Sequence, residues 1–531
     1  MNDEAERVLG RLSLADRVAQ MVFPRFAGLH RVNDQFEVYR VGPWVREARL
    51  GGLILFGGNL FETPATVNAI QNEAVDVALL VSADLEWGAG QQISGATRLP
   101  PAMALGAAGD LELSRLAGYV TAIEARAFGI HLLFAPVADL NTEPDNPIIN
   151  TRAFGAEPDA VAARVTAWIE GCLSGGALPT VKHFPGHGAT TRDSHLTLPV
   201  LEVDQETLEK REWVPFRAAF AAGAPACMVA HLLVPALDPD RPASLSPRVI
   251  RGLLRERLGF NGLVVTDALT MGGAIEGIGA DEACVRAVEA GNDVLLHPED
   301  PLRTIEAVVE AVRGGRIPES TIENAARRVL EAKARLGLLR HAMVQVDPID
   351  EMLAVNAELP RRIAEASLTL LRNRGDLLPA PPGPLTLLSL EEEEAHSESS
   401  AAWLRAFHRL GAQVAARRLR AGTSDAEIQA LVAGLPAAGP LIVGVFSRTR
   451  GYKGDARLDP TLRRALAALV PHGARACVVA FGNPYVLRDA GNAAALVAAF
   501  SDVPAMLEAC AEAVLGRRRF RGTMPVTMPL P

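Results

Sequence analysis

Eight short apolar runs, each followed by a helix-like stretch, constrain this chain more than any other feature. They are MVFPR from Met21, GLILF from Gly52, LLVSAD from Leu79, HLLFAPVAD from His131, TVKHFPGH from Thr180, CMVAHLL from Cys227, GLVVTD from Gly262 and DVLLH from Asp293. Short runs rich in Val, Leu and Ile read as strands buried on both faces, as in a parallel sheet. The stretches between them carry helix signals. Thr63-Pro64 opens one, Asp110 precedes LELSRLAGYVTAIEARAFG, Asp204 precedes QETLEKREWVPFRAAFAAG, and Ser246-Pro247 starts SPRVIRGLLRERLG. Strand and helix alternate to about residue 340, which suggests a (β/α)8 barrel over residues 1–340. A doubly wound open sheet is the alternative, because periodicity does not distinguish a closed sheet from an open one.

The carboxyl ends of these runs are polar. Asp84 and Glu86, Asp139, Lys182 and His183, His231, Asp267, and His297 all sit there. In a barrel such ends share one mouth, where barrel enzymes build their sites. Strands that simply end at the surface would also end in polar residues, but this many ionisable ends favour a site.

After Leu339 the pattern changes. Residues 341–353 read as a linker. Residues 354–531 read as an α/β/α sandwich domain, with LTLLSL, LIVGVF, ACVVAFG and AALVAAF as strands. The stretch AVNAELPRRIAEASLTLLRN reads as a helix, EEEEAHSESS as a solvated acidic loop, and Ser447 to Pro460 as surface.

Composition excludes several classes. Lys plus Arg number 53 against 62 Asp plus Glu, a net charge of −9, and this opposes nucleic-acid binding. No run approaches the roughly 20 apolar residues that cross a bilayer. The acidic, polar start MNDEAERVLG lacks the features of a signal peptide, and the five scattered cysteines form no disulfide or zinc pattern. The expectation is a cytoplasmic enzyme.

The densest chemistry lies in VKHFPGHGATTRDSHLTLP, from Val181 to Pro199. Its glycines and proline exclude a regular helix, so it reads as a strand end and a shaped loop. His183, His187 and His195 lack helical metal-ligand spacing, and Lys182 and Arg192 would repel a cation, so no metal is expected. His187, between two glycines, reads as structural. Asp193 stands two residues before His195, a spacing that lets a carboxylate hold one ring nitrogen while the other transfers protons. Asp267 closes an apolar strand, where a carboxylate can attack an electrophilic carbon; taken alone it also reads as a helix N-cap.

KHFPGHG followed by DSH resembles the signature of the β-N-acetylglucosaminidase branch of glycoside hydrolase family 3. LLFAPVADLN, NPIINTRAFG and the long stretch from MVAHLLVPALD to VVTDALTM agree with it in order and spacing. IAEASLTLLRN, VVAFGNPYVL and FRGTMPVTMP resemble that family's second domain, so the likeness covers nearly the whole chain.

The resemblance implies a retaining mechanism with Asp267 as nucleophile and His195 as acid/base, paired with Asp193. It implies that Asp84, Arg152, Lys182 and His183 grip the sugar hydroxyls and that Met271 packs near the nucleophile. No cofactor is implied. The implied substrate is an oligosaccharide or muropeptide carrying a terminal N-acetylglucosamine (GlcNAc). In place of the family's common Asp-x-Glu-Gly-Gly the chain reads Asp84-Leu85-Glu86-Trp87-Gly88, with Gln91 and Gln92 where a basic residue often follows. Trp87 reads equally as a sugar-stacking ring or as core. A histidine does not repel phosphate as a second carboxylate would, so a phosphorylase releasing GlcNAc 1-phosphate is the alternative. A catalytically silent sugar-binding homologue is the other, opposed by the intact Asp267, Asp193 and His195.

Overall fold

The computed structural model describes residues 3–33, 35–194, 196–275, 277–340, 343–344, 349–449, 451 and 453–530. The chain folds into two compact units. The first comprises Met1–Arg98, Ser114–Leu140 and Pro158–Asn356; the second comprises Leu99–Leu113, Asn141–Glu157 and Ala357–Pro531. Two segments that lie among the first unit's strands in sequence thus pack with the second, an exchange that a single cut near residue 340 does not express.

In the first unit each apolar run forms a strand. These are β1 (Val22–Phe23 and, after Pro24, Arg25–Gly28), β2 (Gly52–Asn59), β3 (Leu80–Ala83), β4 (Leu132–Leu133), β5 (Leu178–Phe184), β6 (Ala226–Val229), β7 (Leu263–Thr266) and β8 (Leu295–Leu296). Neighbours from β1 to β7 pair in parallel. A parallel bridge from Val265 to Val294 joins β7 to the start of β8. The last strand returns to the first, with Val22 opposite Leu295 and Phe23 opposite Leu296. The ring is closed, which selects the (β/α)8 barrel over the open sheet.

Closure decides which way side chains point. Phe23, Ile54, Leu80, Leu178, Met228 and Val265 belong to one buried cluster inside the ring. Side chains alternate along a strand, so counting in twos from these positions brings inward-facing residues to the carboxyl rim. Val265 leads to Asp267, Ile54 to Phe56, Leu80 to Asp84 and Leu178 to Lys182. The barrel's core thereby sets the register of the candidate site above it.

Two helix-like stretches are not plain α-helix. Asp204 caps Gln205–Thr207, but Leu208–Glu212 widens to a π turn before α-helix resumes at Trp213–Ala221. Arg248–Arg257 is π-helical as well. Such insertions rotate the faces of a helix against its sequence period.

The second unit holds a six-stranded sheet: β9 (Thr369–Asn373), β10 (Leu385–Glu391), β11 (Val414–Arg420), β12 (Leu441–Ser447), β13 (Ala476–Gly482) and β14 (Ala495–Ala498). Its order is β9-β14-β13-β12-β10-β11, with only β9 antiparallel. Strands β10, β12 and β13 are buried along their whole length, as expected of a sheet covered on both faces. Two readings of this region need correction, and one strand joins those read from the sequence. The helix ends at Ser367, and Thr369–Asn373 turns into a strand. VAARRLR, from Val414, is an edge strand although most of it is exposed. The acidic run is not a solvated loop: Glu391 is fully buried, bonded by Ser397, Ser400 and Arg420, and a helix begins at His396.

One buried amine gives a test of the barrel's lower end. Lys333, on the helix Glu319–Arg335, is completely buried and donates to Gln20 Oε1 at 2.7 Å. Gln20 precedes β1 and donates in turn to the carbonyl of Arg49, ahead of β2. Burial lowers the Lys333 pKa to about 7. Between the ordinary lysine value and about 7 the unfolded chain holds a proton that the folded chain lacks, so stability falls as pH is lowered through that window and the loss is complete below it. Lys333→Met is expected to raise stability at pH 7 by roughly 1–3 kcal/mol and to flatten this dependence. Urea unfolding from pH 6 to 10 reads it; an unchanged slope would contradict the assignment.

Candidate active site

The site begins with a buried carboxylate. Asp139, past the end of β4, has no exposed surface. Its Oδ2 accepts from the ring Nδ1 of His183 at 2.7 Å and the backbone N–H of His183 at 3.2 Å. Its Oδ1 accepts from the N–H of His187 at 2.7 Å. Burial alone would raise its pKa; the pull of His183 and His187, with their hydrogen bonds, outweighs burial and leaves it lowered. One carboxylate therefore ties the end of β4 to the loop leaving β5 and fixes which ring nitrogen of His183 is engaged.

That loop has little room. A Cβ at Gly188 would lie 1.6 Å from the carbonyl oxygen of Leu140, so only glycine allows the approach. His187 is buried, with Nδ1 at 2.8 Å from Thr190 Oγ1. On the far side of the turn, Glu212 closes the π turn with its carboxyl buried. Burial raises its pKa, against the pull of Arg211 and with the repulsion of Asp139. The two carboxyl groups beside the turn are thus held in opposite directions.

On β5 itself, the Lys182 ammonium is almost wholly buried between two carboxylates, 2.7 Å from Asp84 Oδ1 and 2.7 Å from Glu86 Oε1. Asp84 stays half-buried at the rim and Glu86 is nearly covered. Gln91 and Gln92 turn inward to backbone. Gln91 Oε1 accepts from the N–H groups of Glu86 and Trp87 at 2.6 and 3.3 Å, and Gln92 Oε1 from Gly57 N–H at 3.0 Å. Glutamine has the acceptor oxygen this task needs, which a lysine or arginine lacks. Trp87 is half-buried.

Asp267 follows β7 and is half-buried. Its N–H donates to Val229 O at 3.1 Å, and its Oδ1 accepts from Ala268 N–H at 2.8 Å. Next to it, His231 is buried, 3.1 Å from Ala268 O through Nε2 and 2.7 Å from Ser244 Oγ through Nδ1. A ring nitrogen facing a carbonyl must carry hydrogen, so His231 is a brace for the 267–268 peptide. The β5 loop reaches the same place: Gly273 N–H donates to Ser194 O at 3.4 Å. A Cβ at Gly273 would lie 3.2 Å from that oxygen and 3.3 Å from His231. Met271 is buried beside them.

The structure thus brings Asp84, Lys182, His183, Asp193 and Asp267 to one end of one barrel. Asp193 is buried, and its carbonyl accepts from Leu196 and Thr197. His195 lies outside the described residues. Arg152 belongs to the second unit, in the short turn Asn150–Arg152, where it donates to Ile148 O at 3.1 Å. The sequence reading marked Asp139 and Glu86 as strand-end polar groups without separate roles, and it gave Glu212 none; a fully buried carboxylate beside two histidines carries no local pattern.

The glycosyl hydrolase family 3 N-terminal domain matches residues 13–332 of this chain. A β-N-acetylglucosaminidase/β-glucosidase from Cellulomonas fimi is 32% identical over 511 residues, covering 92% of this chain and 90% of that protein. A β-hexosaminidase from Xylella fastidiosa (strain M23) is 38% identical over 285 residues, 51% of this chain and 83% of its own. The solved structure of a glycoside hydrolase family 3 β-N-acetylglucosaminidase from Paenibacillus sp. str. FPU-7 superposes with a TM-score of 0.86 at 31% identity, covering 98% of this chain and 100% of that one.

Replacing Asp139 with Asn tests the anchor. The variant keeps one acceptor but turns an amide N–H₂ toward a donor and removes the charge. The loss of charge-assisted hydrogen bonds, about 1.5–3 kcal/mol, is expected to lower kcat roughly ten- to a hundredfold with circular dichroism unchanged. A kcat within about twofold of wild type would contradict it.

Proposed function

The chain belongs to glycosyl hydrolase family 3 and is a glycoside hydrolase, and on that premise we propose that it is a retaining exo-β-N-acetylglucosaminidase acting on peptidoglycan-derived fragments. One observation carries this reading: the end of the closed barrel at which Asp267 follows β7 also holds the Asp84–Lys182–Glu86 group, the His183–Asp139 pair and the loop bearing Asp193. The names borne by the relatives, β-hexosaminidase and β-N-acetylglucosaminidase, support a glycoside of GlcNAc as substrate.

In this mechanism the Asp267 carboxylate attacks the anomeric carbon. The imidazolium of His195 gives its proton to the glycosidic oxygen as the carbon–oxygen bond breaks, and a glycosyl ester forms on Asp267. The neutral imidazole then takes a proton from water, whose oxygen attacks the same carbon and expels the carboxylate. Asp193 stabilises the charged ring in the first step. Asp84 accepts from sugar hydroxyls, while Lys182 offers donors. In this reading the enzyme meets its fragments in the cytoplasm.

The test is product analysis on chitobiose and on GlcNAc-anhydro-muramyl fragments, with inorganic phosphate present and absent. Free GlcNAc of retained configuration is expected under both conditions; phosphate-dependent GlcNAc 1-phosphate would replace hydrolysis with phosphorolysis. Asp267→Ala is expected to abolish turnover with the fold intact, and near-wild-type activity would remove it as nucleophile. His195→Ala is expected to harm substrates with poor leaving groups far more than activated aryl glycosides, since only the former need protonation. Equal losses on both would assign His195 another task. Chelators are expected to have no effect on rate.

A further inference from the structure

The rim of the barrel carries a second group of residues that the mechanism above does not use. Arg25 is the register partner of Ile54, which faces the barrel interior. Phe56 packs half-buried on top of that interior cluster, and the Arg25 guanidinium lies 5.1 Å above the centre of its ring. The imidazole of His297, beyond β8, sits 5.6 Å from the same ring. Thr270, three residues past Asp267, holds His297 with Oγ1 at 3.3 Å from Nδ1. His297 has φ of 48°, a left-handed conformation that costs energy in a residue with a Cβ and that clusters at functional sites.

The charges on the two sides of the rim differ. Lys182 is compensated by Asp84 and Glu86, and the His183 ring is engaged by the Asp139 carboxylate. Arg25 is exposed, and among the described residues no carboxylate pairs with it. Its backbone is fixed, because Arg40 donates to its carbonyl at 3.0 Å. In a ring of eight strands β1 stands opposite β5, so Arg25 faces the wall that carries Lys182, His183 and Asp193. In the reading proposed above, a sugar gripped by that wall with its anomeric carbon at Asp267 would carry its leaving group past β7, toward β8, β1 and β2.

We infer that Arg25, Phe56 and His297 form a subsite for an oxyanion on the leaving-group side of the scissile bond. The inference rests on the glycosidase reading and adds to it the residues that recognise the departing or incoming group. A guanidinium held over an aromatic face presents a flat fork of donors, which suits a carboxylate or a phosphate. The ring beneath supplies an apolar floor for the carbon skeleton. Two sources share this chemistry: a carboxylate carried by the sugar that leaves, or inorganic phosphate that arrives in place of water.

Two disaccharides separate the cases. GlcNAc-β-1,4-N-acetylmuramic acid differs from chitobiose by one lactyl ether, which brings a carboxylate. Wild type, Arg25→Met and Arg25→Lys are assayed on both, with and without phosphate. The expected result is that the ratio of kcat/KM for the muramyl substrate over chitobiose falls about tenfold or more in Arg25→Met and recovers in part in Arg25→Lys. If phosphate is the occupant, the ratio holds, while Arg25→Met raises the phosphate concentration needed for GlcNAc 1-phosphate release; this too supports the site. Unchanged ratios together with an unchanged phosphate response would overturn it, as would equal losses on both disaccharides. Wild type inactive on both would overturn the glycosidase reading instead, and the subsite with it.

Discussion

The candidate site depends on the pairing of one buried carboxylate with two histidines. Asp139 lies below water's reach and accepts from His183 twice and from His187 once. An ionised group in that position is tolerated because its oxygens accept hydrogen bonds from the His183 ring and from two backbone N–H groups. The same bonds fix the loop that runs on to Asp193 and Ser194, and Ser194 meets the loop after Asp267 through Gly273. A chain of short contacts thus links three strand ends, β4, β5 and β7, into one surface. The barrel supplies the positions, and Asp139 keeps the loop on them.

Charge is distributed unevenly around that surface. On the β3 and β5 side the buried cation Lys182 is matched by the carboxylates of Asp84 and Glu86. That arrangement is suited to hydroxyl groups, which need fixed donors and acceptors but bring no charge of their own. The β8, β1 and β2 side keeps a cation over an aromatic ring. In the second unit the comparable place in the sheet is the crevice between β10 and β12, where the strand order reverses and doubly wound sheets commonly bind ligands. There the chain fills the space itself: Glu392 accepts from Ser447 at 2.7 Å and pairs with Lys453 at 2.9 Å, and Glu391 pairs with Arg420.

Much of the barrel was legible because its signal is local. All eight runs became strands, since a strand buried on both faces must be apolar for its whole length. Closure was not local, because it depends on Val22 and Phe23 meeting residues 295 and 296. In the second unit, Val414–Arg420 escaped notice because an edge strand need not be apolar. Thr369–Asn373 escaped because it follows a helix after one residue. The acidic run misled because composition alone does not reveal that Arg418 and Arg420, on the neighbouring strand, neutralise Glu391. In the candidate site, motif and resemblance led to residues whose chemistry is carried by neighbours close in sequence. Asp139, Glu86 and Arg25 needed the fold, because their meaning lies in what the ring places beside them. The glutamines at 91 and 92, notable in the sequence as departures, proved to be braces for backbone.

The central claim is that Asp267 itself bonds to the sugar. An activated, fluorinated N-acetylglucosaminyl fluoride, chosen so that the second step is slow, allows the intermediate to be digested and weighed by mass spectrometry. The account predicts one added glycosyl residue on the peptide containing Asp267, lost again when the enzyme turns over. An adduct on another residue, or rapid release of an oxazoline with no adduct at all, would contradict it.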